Sequence, residues 1–142
     1  MPSSINGAIG DLAISALDTT LLKSEWTHAA HFALALWCIR HRPDLTAPDA
    51  FRGIIVRLYE AHGTLNIDSE GYHHTITVAP LKTAASMHAE HEGKPLRVVR
   101  HQLLASRFGS SGWIMEHWTR EALFTPAARR GWGEPDGAPL DF

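Results

Sequence analysis

The sequence predicts a single all-α domain, a bundle of about five helices followed by an extended C-terminal tail. Its length of 142 residues suits one hydrophobic core. Apolar residues recur at helical spacing in several segments, and no two neighbouring segments alternate like a pair of strands. With 44% hydrophobic and 20% charged residues, the composition is that of a globular protein. Residues 1–142 are therefore predicted to form one domain with a helical core.

The first part of the chain contains the most strongly apolar predicted helix. We expect residues 1–23 to form an arm or a short helix, because the apolar stretch within them ends at Asp18. The next helix is predicted over residues 26–39, with Ser24 as its N-cap and Glu25 in its first turn. Its sequence, WTHAAHFALALWCI, contains no Asp, Glu, Lys or Arg. This helix should be buried on nearly all sides, and it is shorter than the roughly 20 residues that span a bilayer.

The remaining helices follow from spacing and from turn residues. Phe51, Ile54, Ile55 and Leu58 recur at helical intervals and predict a helix from residue 48 to residue 60 or 62. Residues 72–78 alternate like a strand, but the segment after them is helical, so we predict a helix with Pro80 in its first turns or at a kink. Two further helices are predicted, over residues 96–108 and 111–124. Residues 125–142 are punctuated by Pro and Gly and predict an irregular tail.

Charge, cysteine content and motifs exclude several classes of function. With 13 Lys and Arg against 15 Asp and Glu, the net charge is −2, so a nucleic-acid partner is not expected. Cys38 is the one cysteine and has no internal disulfide partner. The N-terminus does not resemble a secretory signal, so we expect a cytoplasmic protein without a membrane partner. No nucleophile elbow, P-loop or dinucleotide-binding glycine motif is present.

Ten histidines are the distinctive feature of the sequence. His28 and His31 lie three residues apart on one face of the apolar helix, so both can reach one metal ion. Imidazoles in such a helix must be satisfied by hydrogen bonds or by a metal. Glu25, one turn earlier, completes an ExxHxxH row as a ligand or as an acceptor for an imidazole N–H. The alternative is that the pair lies near the helix end, partly exposed, and only caps or packs.

Two further histidines belong to the candidate site. His62 ends the helix that precedes Gly63, where it is either a ligand or a residue that favours the helix C-terminus. His73 follows Tyr72, and Thr77 lies four residues later, where its hydroxyl can orient the imidazole. His74 points about 100° away from His73 on a helix and is expected to be structural or exposed. The other histidines are expected on the surface or in ordinary packing: His41, His88, His91, His101 and His117.

Several segments of the chain together resemble a family of small, uncharacterised bacterial all-helical proteins. The segments are Trp26-x-His28-x-x-His31, Ala61-His62-Gly63, Tyr72-His73-x-Thr75-Ile76-Thr77, Leu123-Phe124-Thr125-Pro126-x-Ala128-Arg129 and Glu134-Pro135-Asp136. The resemblance covers residues 24–140 and implies His28, His31, His62 and His73 as a shared set, but no reaction. The chain departs from the family pattern at His74, where an acid is expected, and at Pro80 in the following helix.

These features predict a metal-dependent enzyme that acts on a small molecule. His28, His31 and His73 are the expected ligands, with His62 as a fourth, for a divalent transition metal: Fe, Zn, Cu, Mn or Ni. Glu25, Tyr72 and Thr77 are the candidate catalytic residues, as acid, base or orienting groups.

The alternative is a non-catalytic helical interaction protein whose histidines are structural. In that case the aromatic, Arg-rich tail mediates assembly. For the tail itself we consider three arrangements: it clamps its own bundle, covers the site as a lid, or joins a homodimer.

Overall fold

The computed structural model describes residues 5–142, with side chains from Ala8 onward, and this part of the chain is all-α. A lone antiparallel bridge joins Ile67 to Glu70. The α-helices are α1 (Ile5–Leu17), α2 (His28–His41), α3 (Pro48–Ala61), α4 (His74–Glu90), α5 (Leu96–Ala105), α6 (Arg120–Leu123) and α7 (Pro126–Arg130). Short 3-10 helices cover Lys23–Glu25, Pro43–Leu45, Arg107–Gly109 and Ser111–Glu116. The predicted fold class is confirmed.

Helix α2 is the central helix of the bundle. It packs against α1, α4 and α5, and Phe32, Leu34, Leu36 and Cys38 on it are fully buried. Because these side chains point to different sides of the helix, burial extends around most of its circumference, as its uncharged sequence predicts. No helix within residues 5–142 has the length and apolarity needed to cross a membrane.

The start of α2 differs from the prediction. Thr27 is the N-cap, and its side chain accepts the backbone N–H of Ala30 at 3.1 Å. Ser24 and Glu25 belong instead to the preceding 3-10 helix, where the Glu25 carboxylate accepts the backbone N–H of Leu22 at 3.1 Å. The predicted N-cap, Ser24, is wrong because Thr27 supplies an equivalent hydroxyl closer to the uncharged segment.

Helices α3 and α4 follow the predicted pattern. The face of α3 formed by Phe51, Ile54, Ile55 and Leu58 is buried. Helix α4 begins at His74 and continues through Pro80 to Glu90, so the helical interpretation of this segment is correct.

The chain beyond α5 departs most from the sequence prediction. Helix α5 ends at Ala105, and residues 111–124 form a 3-10 helix and the short α6 rather than one helix. Thr119 caps α6, and Thr125 caps α7 with Pro126 as its first residue. Each threonine accepts a backbone N–H three residues ahead and so starts a new helix within a segment predicted to be continuous or irregular.

The C-terminal segment packs on its own bundle, against α4. The buried Thr75 hydroxyl donates to the Ala128 carbonyl at 2.7 Å and accepts the Gly133 N–H at 2.9 Å. The buried Trp118 indole donates to the Gly133 carbonyl at 2.9 Å. Of the three arrangements considered for the tail, the structure shows the one in which it clamps its own bundle.

Candidate functional site

Three of the four histidines predicted as metal ligands contact backbone carbonyl groups in different parts of the molecule. In each case the Nε2 atom lies 2.7 Å from a carbonyl oxygen. His28 contacts the carbonyl of Phe108, His62 that of Leu21, and His73 that of Leu123. A neutral imidazole donates an N–H in such a contact. Each of these side chains therefore fastens a connecting segment to a helix.

The structure does not gather the predicted ligands at one point. Within residues 5–142, no three His, Cys, Asp or Glu side chains are placed to hold a metal ion. Glu25 is exposed, and its carboxylate accepts the Leu22 N–H described above. The metal site stays a prediction.

His31 differs from the other three predicted ligands. Its ring stacks on Trp26 at a centroid distance of 5.2 Å and on Phe51 at 6.1 Å. Its Nε2 atom is buried and has no hydrogen-bond partner. Burial, together with the nearby His28, lowers the pKa of His31 to about 4. His31 is therefore a neutral imidazole at pH 7, with one ring nitrogen unused.

His73 is the N-cap of α4. Its Nδ1 atom accepts the backbone N–H of Ile76 at 3.1 Å, and its Nε2–H donates to Leu123. Both ring nitrogens are thus engaged, and burial lowers the pKa of His73. This residue positions the start of α4 and holds α6 against it.

Tyr72 and His74 form a buried hydrogen-bonded pair. The Tyr72 hydroxyl lies 2.6 Å from Nδ1 of His74. Burial raises the pKa of Tyr72, and burial followed by the charge of Arg52 lowers the pKa of His74. The phenol therefore stays protonated, and its O–H donates a hydrogen bond to a neutral imidazole. Of the two alternatives left open for His74, structural or exposed, the structure shows it buried.

Thr77 and Arg52 act on the same tyrosine. The pKa of Tyr72 stays raised by burial, and the nearby Arg52 and Thr77 side chains offset only part of that effect. The Arg52 guanidinium carbon lies 5.5 Å from the centre of the Tyr72 ring. Thr77 is therefore placed to influence Tyr72, and the structure gives it no side-chain contact with His73.

A surface groove of about 450 Å³ lies beside Tyr72, between α3, the loop of residues 64–71 and α7. We call it the arginine groove; its lining residues are Arg52, Val56, Glu60, Asn66, Ile67, Asp68, Tyr72, Arg129 and Arg130. Three guanidinium groups and two carboxylates therefore share one groove with the tyrosine of the buried pair.

Of the three arginines in the groove, Arg130 pairs with Asp68. Arg52 and Arg129 have no carboxylate partner within residues 5–142. Arg52 donates through Nη2 to the Arg130 carbonyl at 2.5 Å, and its Nε is buried without a partner. Arg129 donates through Nη1 to the carbonyls of Gly71 and Tyr72 at 3.2 and 3.3 Å. Both guanidinium groups are thus held by main-chain oxygens, which carry no compensating full charge.

The loop of residues 64–71 positions Tyr72 in the groove. The Asn66 side chain accepts the backbone N–H of Tyr72 at 2.9 Å. Gly71 has a φ of +82°, and a Cβ atom there would overlap the Leu65 carbonyl. Glycine is required here both by the backbone conformation and by this close approach.

Arg52, His74 and Arg129 are absent from the set predicted from the sequence. An arginine on an amphipathic helix has the same pattern as a solvated residue, so Arg52 carries no local signal. Comparisons with models of protein families, with curated proteins and with solved structures gave no match for this chain. The resemblance to a bacterial family therefore stays a prediction.

Proposed function

We propose that this protein binds a small molecule with a carboxylate or phosphate group in the arginine groove, and that the Tyr72–His74 pair exchanges a proton with it. The observation that carries the proposal is the position of Arg52 and Arg129. Both line the groove that also contains Tyr72, and neither pairs with a carboxylate in the described part of the chain.

The arginines suit an oxyanion for geometric and electrostatic reasons. A guanidinium is a planar fork of N–H donors that matches carboxylate and phosphate oxygens, and its charge persists at all physiological pH values. The hydrogen bonds from Arg52 and Arg129 to main-chain carbonyls restrict their positions before a ligand arrives, which reduces the ordering cost of binding. A bound anion would also offset the repulsion between the like charges.

The buried pair supplies a route for one proton. In the proposed step, the Tyr72 oxygen accepts a proton from the ligand while the phenolic proton moves to Nδ1 of His74. The bond between the ligand and its acidic hydrogen breaks and leaves its electron pair on the ligand, a new O–H bond forms on Tyr72 as the original one breaks, and an N–H bond forms on His74. Arg52 and Arg129 stabilise the resulting negative charge, which is the electrostatic role of cationic groups in proton abstraction.

Isothermal titration calorimetry with inorganic phosphate and with succinate tests the binding step. We expect saturable binding to the parent protein and a loss of about tenfold in affinity for Arg52→Gln, since a removed contact to a charged ligand costs about 1.4 kcal/mol or more. Arg57→Gln is the matched control, because Arg57 is exposed on the same helix and is not among the residues that line the groove. Equal losses in the two variants, or no binding to any of the proteins, would contradict the proposal.

Metal binding is a second candidate, favoured by the unused Nε2 of His31 beside His28. A neutral imidazole with a free ring nitrogen is a suitable ligand for a divalent transition metal. Plasma mass spectrometry of protein purified without a His-tag tests it. Near-stoichiometric metal that is lost in a His28→Ala/His31→Ala variant would support this candidate. Equal trace amounts in parent and variant, after incubation with Fe(II), Zn and Cu, would eliminate it.

A further inference from the structure

Asp68 is a carboxylate of the chain itself that lies at the arginine groove. Its Oδ1 atom accepts from Nε of Arg130 at 2.8 Å, and its Oδ2 accepts from Nη2 of the same guanidinium. The contact is two-pronged, the geometry in which a guanidinium binds a planar oxyanion. Hydrogen bonding to Arg130 lowers the pKa of Asp68, and the charges of Arg130 and Arg129 act in the same direction. The carboxylate therefore experiences the field of two of the arginines in the groove.

The pair is well placed to exchange partners. Both side chains are more than a third exposed, at 69% for Arg130 and 50% for Asp68. Exposed ion pairs of this kind contribute little stability, so a competing anion can displace Asp68 at small cost. The Arg130 backbone remains tied to the groove, because its carbonyl accepts from Arg52.

We infer that Asp68 is an internal competitor for the ligand, and that the ligand carries an oxyanion able to take the place of the Asp68 carboxylate on Arg130. The inference rests on the proposed function and adds to it a third contact and an intrinsic limit on affinity. Binding then requires the Asp68 carboxylate to leave Arg130, by rotation of its side chain or by movement of the loop of residues 64–71. The loop sets the ligand concentration at which the protein responds.

Two isosteric variants in the same loop separate this role from a simple change of net charge. Asp68→Asn and Glu70→Gln each remove one negative charge, but only Asp68 pairs with Arg130. We expect Asp68→Asn to bind inorganic phosphate and succinate about fivefold more tightly than the parent, as breaking an exposed ion pair implies. Glu70→Gln should change the dissociation constant by less than about twofold, because screening weakens the effect of a single charge that makes no direct contact.

A double variant gives the decisive comparison. If Asp68 acts through Arg130, the gain from Asp68→Asn should disappear in an Arg130→Gln background. Saturable binding to the parent with an unchanged dissociation constant in Asp68→Asn, or equal gains in the two single variants, would overturn the inference and leave the proposed function standing. Absence of saturable binding in the parent and in every variant would contradict both. Circular dichroism of each variant verifies that the fold is intact.

Discussion

His31 and His73 illustrate how two histidines of the bundle acquire different roles from their ring nitrogens. His73 uses both nitrogens, one as acceptor for Ile76 N–H and one as donor to the Leu123 carbonyl. His31 stacks on Trp26 and Phe51 and leaves Nε2 unused. A buried polar atom without a partner costs free energy, whereas a fully bonded imidazole contributes to stability. His73 is therefore a fastening residue, and His31 is the histidine whose protonation the fold most resists.

The low pKa of His31 predicts a loss of stability in mild acid. In the folded protein its pKa is lowered from 6.5 to about 4, so the unfolded state binds the proton more readily. The stability that depends on neutral His31 is therefore complete above about pH 6.5. As the pH falls towards 4, the free energy of unfolding decreases by about 1 kcal/mol per pH unit. Burial also lowers the pKa values of His73 and His74, which adds a loss in the same direction.

Urea unfolding at pH 7, 6 and 5 measures this dependence in the parent and in His31→Phe. The variant should show a shallower fall in unfolding free energy, because it lacks one group that titrates on unfolding. His41→Phe, at an exposed position of the same helix, should retain the parent slope. Identical slopes for His31→Phe and the parent would refute the assignment of this acid sensitivity to His31.

At the scale of single residues, the sequence indicates which side chains are unusual but not what they contact. The HxxH spacing in an uncharged helix predicts that His28 and His31 need partners, and the structure gives one to Nε2 of His28 but none to Nε2 of His31. The partner of His28 is the Phe108 carbonyl, which lies 80 residues away in the chain. No spacing rule identifies such a carbonyl, because the contact exists only once α5 and the turn after it have packed on α2.

At the scale of elements, the start of α4 depends on a histidine. An imidazole is an uncommon N-cap, since Ser, Thr, Asp and Asn are preferred there. Here the Nδ1 acceptor replaces the usual oxygen, while the other nitrogen donates to the Leu123 carbonyl at the end of α6. The start of α4 and the position of α6 thus both depend on one side chain.

Substitutions at residue 73 separate the two contacts. We expect His73→Ala to lower the unfolding free energy by about 2 kcal/mol, since it removes both a cap and a buried hydrogen bond. His73→Asn should recover about half of that loss, because Asn caps well but is too short to reach Leu123 in the same way. Chemical denaturation measures the difference, with the exposed His101→Ala as a control that should change little. A loss in His73→Asn equal to that in His73→Ala would show that the capping contact contributes nothing.

The elements differ in how well the sequence predicts them. Helix α3 has a regular apolar face, so its bounds follow from spacing alone. The residues after α5 have no such face, and their short helices depend on Thr119 and Thr125 as caps. Many positions in a sequence could cap a helix of four or five residues. The packing of this segment on α4 decides which of them begins a helix.

At the scale of the whole molecule, the packing of the tail on α4 creates the arginine groove. Arg129 and Arg130 belong to α7, whereas Arg52 belongs to α3, and Tyr72 precedes α4. These residues are far apart in sequence, so their convergence is a tertiary property that sequence patterns alone do not predict. The sequence does predict the all-α class, because that class depends on local composition and spacing.

Thr75 is the residue through which α4 holds the tail, so its hydroxyl should contribute to global stability. We expect Thr75→Val to lower the unfolding free energy by about 2 kcal/mol, since the buried Ala128 carbonyl and the half-buried Gly133 N–H lose their shared partner. Thr83→Val is the matched control in the same helix, because the buried Thr83 hydroxyl donates only to the Ala79 carbonyl one turn earlier. Thr83→Val should lower the unfolding free energy by about 0.5 kcal/mol or less, because the Ala79 carbonyl also belongs to the main-chain hydrogen bonding of the helix. Equal losses in the two variants would contradict a clamping role for Thr75.

The proposed function requires that the arginine groove, rather than another basic surface, binds an oxyanion. A second groove of about 410 Å³ is lined by Arg97, Val98, Arg100, His101 and Leu104 and provides an internal comparison. The most direct measurement is a chemical-shift map of the labelled protein titrated with inorganic phosphate. We expect saturable shifts centred on Arg52, Tyr72 and Arg129. Shifts centred on Arg100 and His101, or shifts that rise linearly without saturation over the whole surface, would contradict it.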